Sequence, residues 1–143
     1  PIALAELRAL DAGFWRVVAL GVLFTLARFS EAFLVLKAHA VGLPLALAPA
    51  VLVAMNVVYA LGAYPAGLLA DRVAARGLLL AALCALIVAD LLLAVATDLP
   101  LAFAGIVLWG LHMAFSQGLL AKLVADHAPA ALRGSAFGLF NLT

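Results

Sequence analysis

The stretch GLLADRVAARG, residues 67–77, places an acid and two arginines between two long apolar runs of the chain. The run before it covers roughly residues 45–70, and the run after it covers residues 78–96. Each has about the length that an α-helix needs to cross the hydrocarbon core of a bilayer, ~20 residues. The stretch is therefore predicted to be a short turn between two transmembrane helices.

The composition of the whole chain agrees with this interpretation. Of its 143 residues, 69% are hydrophobic and 10% are charged, whereas a soluble domain is about half apolar and about one quarter charged. So few polar side chains cannot cover a water-soluble fold of this size, and lipid is the expected solvent. The net charge of +1 leaves no basic face for nucleic acid. A single cysteine, Cys84, excludes a disulfide within the chain.

Turn-forming residues separate several apolar runs, each long enough to cross a bilayer. The expected fold class is all-α, a polytopic transmembrane helix bundle, because strands would show a period-two alternation that these runs lack. Residues 1–16 mix charged and apolar side chains and are expected to end a central cytoplasmic linker, ahead of a transmembrane domain over 17–143. The predicted spans are 17–37, 45–70, 78–96 and 101–123, and a fifth begins near residue 134.

The cations predict how the bundle is oriented. Lys37 marks one side of the four-helix zigzag. The other side holds Arg8, Arg16, Arg72, Arg76, Lys122 and Arg133. Because short cytoplasmic loops are rich in lysine and arginine, the side with these arginines is expected to be cytoplasmic. The loops 71–77 and 124–133 are then cytoplasmic, in a multi-pass protein of the cell (inner) membrane.

The order of residues in the opening stretch resembles a signature of the major facilitator superfamily of secondary transporters. That signature reads Gly, three residues, Asp, Arg, one residue, Gly and two basic residues, in the cytoplasmic turn between helices two and three. A degraded copy recurs between helices eight and nine. Ala74 and Ala75 depart from the pattern, as in the degraded copy. The matching positions are Gly67, Asp71, Arg72 and Arg76.

A second stretch, LRGSAFGLFN at residues 132–141, is similar to the start of helix eleven in this family. The resemblance implies an incomplete C-terminal half, with helices seven to ten and the start of eleven. Its partner would be the N-terminal half of the same full-length chain. Because the sequence starts at Pro1 and stops within an apolar run, we expect it to be a fragment of a longer protein.

The resemblance also implies a gating role for the turn. Asp71 would hold the cytoplasmic gate in one access state through a charge–dipole and salt-bridge contact, and release it in the other. The alternative is a merely topological turn, since any cytoplasmic turn between two helices favours cations. Asp71 is also placed to cap free N–H groups of the next helix. Gly67 is expected to allow a neighbouring backbone to approach closely.

Two charged residues lie within the first predicted span. Arg28 and Glu31 are three residues apart, so on one helix they share a face and can touch. A lone charge at that depth costs about 2.5–3.5 kcal/mol. One hypothesis places Arg28 against an anionic group of a solute and makes Glu31 a proton carrier. The other is a closed ion pair that only fixes helix packing.

Other polar side chains within the spans are weaker candidates for a substrate or proton pathway. Asn56 and Tyr59 could line one cavity, although an interhelical hydrogen bond is the favoured interpretation. Asp90 could carry a proton or pair with a residue of a missing helix. His112 and Ser116 share a helix face next to Gln117, as a polar patch in a pore or, in the favoured interpretation, as a helix–helix contact.

Small residues spaced four apart predict where helices pack closely. Ala63 and Gly67 form one such pair in the second span, and Gly134 and Gly138 form another at the start of the fifth. Close packing of these helices is therefore expected at both pairs.

No catalytic, metal or nucleotide motif is present: HExxH, GxxxxGKS/T and GxSxG are all missing. An enzyme, a cofactor and a metal site are therefore not expected. The expected function is a permease that moves a small solute through the lipid bilayer by alternating access, coupled to an ion or proton gradient. The main alternative is a membrane scaffold or assembly subunit without transport of its own. An intramembrane enzyme would need convergent catalytic groups, which the sequence does not offer.

Overall fold

The computed structural model describes residues 11–27 and 30–140, and these residues form helices and loops without any strand. This confirms the all-α fold class that the sequence predicts. The helices, numbered in chain order, are α1 Ala12–Ala27, α2 Ala32–Ala40, α3 Ala48–Arg72, α4 Ala75–Val95, α5 Leu99–His127 and α6 Arg133–Phe140. Short 3-10 helices lie at Leu45–Leu47 and Ala130–Leu132.

In the described part of the chain, four stretches of helix are long and apolar enough to cross a membrane. Each overlaps one of the four predicted spans, and at 21 to 29 residues each exceeds the ~30 Å thickness of the hydrocarbon core. Many large apolar side chains are nevertheless exposed on them, as expected of helices that lie in lipid. The stretches are Ala12–Ala40, Leu45–Arg72, Ala75–Val95 and Leu99–His127.

The first stretch is interrupted within the described residues. Helix α1 ends at Ala27, Ser30 is not helical, and α2 begins at Ala32. The Ser30 carbonyl accepts the Phe33 N–H over 2.9 Å, and its hydroxyl oxygen accepts the Ala32 N–H over 3.4 Å. The structure thus places a non-helical residue, Ser30, inside the predicted span 17–37, and its side chain bonds the backbone there.

The chain divides into two compact units, which are described separately. The central unit comprises residues 29–119 and the terminal unit comprises residues 1–28 and 120–143. The central unit has one apolar core, to which α2, α3, α4 and α5 all contribute. Its buried members are Leu34, Ala38, Leu43, Val51, Met55, Leu86, Ala89, Leu93, Ile106, Trp109 and Met113.

Glycines set the distance between α3 and α5 in the central unit. A Cβ atom at Gly110 would lie 2.8 Å from the Met55 carbonyl oxygen and 3.1 Å from the Val58 Cβ. A Cβ atom at Gly62 would lie 2.9 Å from the Ala114 Cβ. Residue numbers rise together along both helices, so α3 and α5 run parallel, at a separation that glycine permits.

Helices α4 and α5 pack through a second small-residue contact. A Cβ atom at Gly105 would lie 2.7 Å from the Leu93 Cγ and 3.2 Å from the Ala89 carbonyl oxygen. Further along the same contact, His112 of α5 lies beside the Ala82 carbonyl of α4. Numbers rise on one helix as they fall on the other, so α4 is antiparallel to α5.

The two small-residue pairs predicted from the sequence are not the ones that pack. A Cβ atom at Gly67, Gly134 or Gly138 would meet nothing within 4 Å, and Ala63 is exposed. In α3 the close contact is made by Gly62 instead, on a different face of the helix. Spacing identified the right type of residue, but each one-residue step turns the helix by about 100° and so changes the face that is presented.

A glycine turn ends α2. Gly42 has a φ of +111°, the left-handed region that favours glycine. The Leu43 N–H donates to the Ala38 carbonyl over 2.9 Å, and the Gly42 N–H donates to the His39 carbonyl over 3.0 Å. These two bonds form a Schellman motif. His39 strengthens it, since its Nδ1–H donates to the Leu43 carbonyl over 2.9 Å.

The terminal unit has its own small core, formed by α1, the end of α5 and α6. Asp11 caps α1, because its Oδ1 accepts the Phe14 N–H over 2.7 Å. Helix α1 therefore begins at Ala12, within the segment expected to be linker. The ring of Phe140 packs against Gly21, where a Cβ atom would lie 2.6 Å from the ring. The buried members are Phe14, Val17, Val18, Val124, Ala128 and Ala136.

Candidate functional site

A polar contact between two spans of the central unit joins Tyr59 of α3 to Gln117 of α5. The Tyr59 hydroxyl donates to the Gln117 Oε1 over 3.4 Å, and both side chains are half-buried. The sequence had grouped Tyr59 with Asn56, whose exposed side-chain amide instead donates to the Leu52 carbonyl of its own helix over 2.8 Å. An interhelical hydrogen bond is thus present at Tyr59, and its partner is a residue that spacing alone could not identify.

One exposed face of α3 carries both the side-chain amide of Asn56 and the carboxyl group of Asp71, the acid of the turn. Its members follow one another at intervals of four, three, four and four residues, so they form a single row along the helix. All of them are exposed, and none has a large apolar side chain. We call this row the polar stripe; it consists of Asn56, Ala60, Ala63, Gly67 and Asp71.

The sequence reasoning missed the polar stripe as a unit. Asn56 was assigned to a pathway, Asp71 to a gate and Ala63 with Gly67 to a packing pair, and Ala60 was given no role. The signal was available, because the helical interval connects all five positions. Tyr64 lies beside the row and is 75% exposed.

His112 and Ser116 are buried, with 1% and 3% exposure. The His112 Nδ1–H donates to the Ala82 carbonyl of α4 over 2.9 Å, and the Ser116 hydroxyl donates to the His112 carbonyl over 2.8 Å. The imidazole also lies 6.4 Å from the ring of Trp109, centroid to centroid. This geometry fits the favoured interpretation of a helix–helix contact, because both side chains are enclosed by protein.

Asp90 lies within α4 and is half-buried. Its Oδ1 is inaccessible to solvent and has no hydrogen-bond partner among the described residues. The residues at i−4, i−1 and i+3 from it, Leu86, Ala89 and Leu93, all belong to the apolar core. A carboxylate oxygen in such surroundings is costly when it is charged and unpaired.

The charged pair of the first span is only partly covered by the structure. Arg28 lies outside the described residues. Glu31 is half-buried and precedes α2, and its side chain accepts no hydrogen bond from the first turn of that helix. The intervening Ser30 is not helical, and the contact between Arg28 and Glu31 stays a prediction.

The charged turn is shorter than the sequence predicts. Helix α3 continues through Asp71 to Arg72, and α4 begins at Ala75, so that Arg76 already lies in the first turn of α4. The N-cap residue of α4 is Ala74, without a side-chain hydrogen bond, and the capping role of Asp71 stays a prediction. The physical reason for the short turn is that the flanking Leu, Ala and Arg residues are good helix formers and extend both helices. Asp71, Arg72 and Arg76 are all exposed.

These groups suit solute binding and proton exchange better than bond-breaking chemistry. The hydroxyl of Tyr59 and the amides of Asn56 and Gln117 can donate and accept hydrogen bonds, and a carboxyl group such as that of Glu31 or Asp90 can accept them or bind a proton. Within the described residues, no group of three or more His, Cys, Asp and Glu side chains could hold a metal ion.

Several apolar spans with a polar face between them define a multi-pass membrane protein. Among protein families, the model of the Major Facilitator Superfamily matches residues 3–143. The chain therefore belongs to the Major Facilitator Superfamily, which confirms the resemblance seen in the turn after α3. It is a membrane transporter, from a family of transporters and not of enzymes. No curated protein and no solved structure matches the chain.

Proposed function

We propose that this chain is part of a secondary transporter that moves a small solute by alternating access, coupled to an ion gradient. The polar stripe of α3 carries the proposal. Within a bilayer, an exposed amide and a row of small side chains are expected to face another protein segment or a water-filled path, since lipid offers them no partners. A carrier needs such a face, whereas a helix that only anchors a protein does not.

In this proposal, the polar stripe is one wall of the path and the N-terminal half of the full-length chain is the other. The small side chains of Ala60, Ala63 and Gly67 allow close contact when the wall is closed. Rocking of the two halves would open first one end of the wall and then the other. The scaffold alternative predicts a fixed contact that does not open.

Solute contacts are proposed at the polar groups near the middle of the path. The Tyr59–Gln117 bond of 3.4 Å is longer than the usual 2.5–3.0 Å for an O–H donor, about 2.7 Å at its most frequent. Exchanging such a weak bond for one to a solute costs little. Asn56 adds an exposed amide three residues away. Arg28 and Glu31 remain proposed as groups that bind the solute or a proton.

The orientation stays as predicted, with the loops 71–77 and 124–133 in the cytoplasm. Asp71 then lies at the cytoplasmic end of the polar stripe and Asn56 lies nearer the opposite end. A contact made by Asp71 in only one access state would bias the balance between the states. This is the proposed gate.

The test uses single cysteines in the full-length protein, after the native Cys84 and any other cysteines are replaced. Asn56→Cys and Gly67→Cys place a thiol near each end of the polar stripe. We expect a membrane-impermeant maleimide, added from both sides, to label the two positions reciprocally. Conditions that increase labelling at 56 should decrease it at 67.

The matched control is a variant that retains Cys84, which is exposed on α4, as its only thiol. It should resist the impermeant reagent in every condition and react with a lipid-soluble maleimide. Labelling at 56 and 67 that never changes, or no labelling at either position, would contradict alternating access and favour the scaffold.

A further inference from the structure

The Asp90 carboxyl group has an oxygen that the described part of the central unit covers without a hydrogen bond. Tyr59, Gln117, His112 and Asn56 all have hydrogen bonds. Asp90 instead has a covered Oδ1 without a partner in the described part of the chain. We infer that Asp90 is a proton-binding site within the membrane, occupied by a proton in this conformation. The site itself rests on this geometry, and its use in coupling transport to a proton gradient rests on the proposed function.

The first step concerns counter-charges. No ion pair joins Asp90 to any described cation. Arg72 and Arg76 lie at the opposite end of α4 from Asp90, and Lys37 lies near the end of α2. Glu31 and Asp98 precede two of the helices of this core. The other titratable or charged side chains on these helices are Lys37, His39, Tyr59, Tyr64, Asp71, Arg72, Arg76, Cys84, His112, Lys122, Asp126 and His127.

Two histidines on the packed helices are already engaged. The His112 Nδ1–H is directed to the Ala82 carbonyl, about 12 Å along α4 from Asp90 at ~1.5 Å per residue. The His39 Nδ1–H is directed to the Leu43 carbonyl. Without a counter-charge, binding a proton is the direct way to remove the cost of a buried carboxylate: an O–H bond forms on the carboxyl group and no other bond changes.

The second step concerns the position along the helix. Asp90 lies five residues before Val95, the last residue of α4, or about 7.5 Å from that end. The C-terminal end of a helix carries a partial negative charge, which disfavours an anion close to it. The same short distance allows proton exchange with water at the membrane surface, because Asp90 is only half-buried.

The third step distinguishes Asp90 from the other acids of the chain. Asp98 accepts the Leu101 N–H over 2.9 Å and caps α5 in an exposed position, and Asp11 caps α1 in the same way. Both carboxyl groups therefore have a backbone N–H partner. Glu31 lies outside a regular helix, three residues after Arg28 in sequence. Asp90 combines a covered oxygen with the lack of a hydrogen bond within the described residues.

The experiment is infrared spectroscopy of the purified full-length protein at neutral pH, reading the carbonyl stretch of a protonated carboxylic acid. We expect this band in the wild type, its loss in Asp90→Asn and its retention, shifted, in Asp90→Glu. Asp98→Asn is the matched control and should leave the band unchanged. Lys37→Met should also leave it unchanged, because Lys37 is not a partner of the carboxyl group.

Two results would overturn the inference. One is a folded Asp90→Asn protein, monodisperse in detergent, with the same band as the wild type. The other is a wild type without the band, in which Lys37→Met creates it; Asp90 would then be an ion-paired carboxylate. Since neither result depends on solute transport, a failure of the proposed function would be recognised separately, by the cysteine labelling.

Discussion

Helices α3 and α4 expose two rows of side chains with the same spacing and opposite chemistry. The polar stripe of α3 recurs at intervals of four, three, four and four residues, and α4 has an exposed row at the same intervals. In the α4 row, which we call the apolar stripe, the Leu, Ile and Val side chains are 50–63% exposed. Its members are Leu80, Cys84, Ile87, Leu91 and Val95.

The comparison teaches that exposure alone does not identify what covers a membrane helix. Both rows are exposed in this structure. Bulky apolar side chains pack favourably against lipid chains, whereas an amide with small neighbours does not. The difference is between a row of side chains suited to lipid and a row suited to protein or water. Since α5 packs against both helices through Gly105 and Gly110, it fixes where the two stripes lie within the central unit.

The largest expected effect comes from placing a charge in the middle of each stripe. Ile87→Lys should cost about 2.5–3.5 kcal/mol, because lipid cannot solvate the ammonium group. Ala60→Lys, at the middle of the polar stripe, should cost far less. The measurement is the yield of folded, monodisperse full-length protein by fluorescence-detected size-exclusion chromatography. Equal losses in both variants would mean that both stripes face lipid, and the comparison would fail.

The next effect concerns the packing that holds α3 to α5. Gly110→Ala forces a Cβ atom to within 2.8 Å of the Met55 carbonyl oxygen, and overpacking of this kind costs about 1–3 kcal/mol. The thermal unfolding temperature should therefore fall. Gly118→Ala, on the same helix but with nothing within 4 Å of its Cβ position, should not lower it. A decrease of equal size in both variants would show that glycine is needed for helix flexibility and not for close contact.

This difference between Gly110 and Gly118 also shows how far the sequence could lead. The spans and the fold class follow from apolar run length, since the bilayer imposes it. The order of charges in the turn after α3, together with the matching topology, indicated the family. Neither argument says which face of a helix meets its neighbour, and so spacing selected Gly67 where the structure uses Gly62.

The candidate site was less predictable than the fold for the same reason. Pairing of Tyr59 with Gln117 depends on the parallel packing of α3 and α5, which no local pattern encodes. The break at Ser30 was hidden by a run that is apolar on both sides. Proximity in sequence also missed a contact between residues 58 positions apart.

A third prediction sharpens the role of the polar stripe at its charged end. Asp71→Asn keeps the size of the side chain and removes its charge, so a contact made in only one access state should weaken. We expect the ratio of maleimide labelling at Asn56→Cys and Gly67→Cys to shift about tenfold, within the usual range of coupling between sites. A merely topological turn would leave this ratio unchanged. In that case the polar stripe would still be a protein-facing surface, without a gate at Asp71.

The smallest effect tests the hydrogen bond at the edge of the polar stripe. Tyr59→Phe removes the hydroxyl that donates to Gln117 and leaves the ring in place, so its cost should be close to the average of ~0.6 kcal/mol for such bonds between membrane helices. Tyr64→Phe is the matched control, because the Tyr64 side chain is 75% exposed. A double-mutant cycle with Gln117→Leu, measured by reversible unfolding in mixed micelles, isolates the coupling between the two side chains. The contrary outcome is zero coupling, with Tyr59→Phe as mild as Tyr64→Phe. It would mean that water already replaces the bond in the membrane. The Tyr59 hydroxyl could then bind a solute without first breaking a contact to α5.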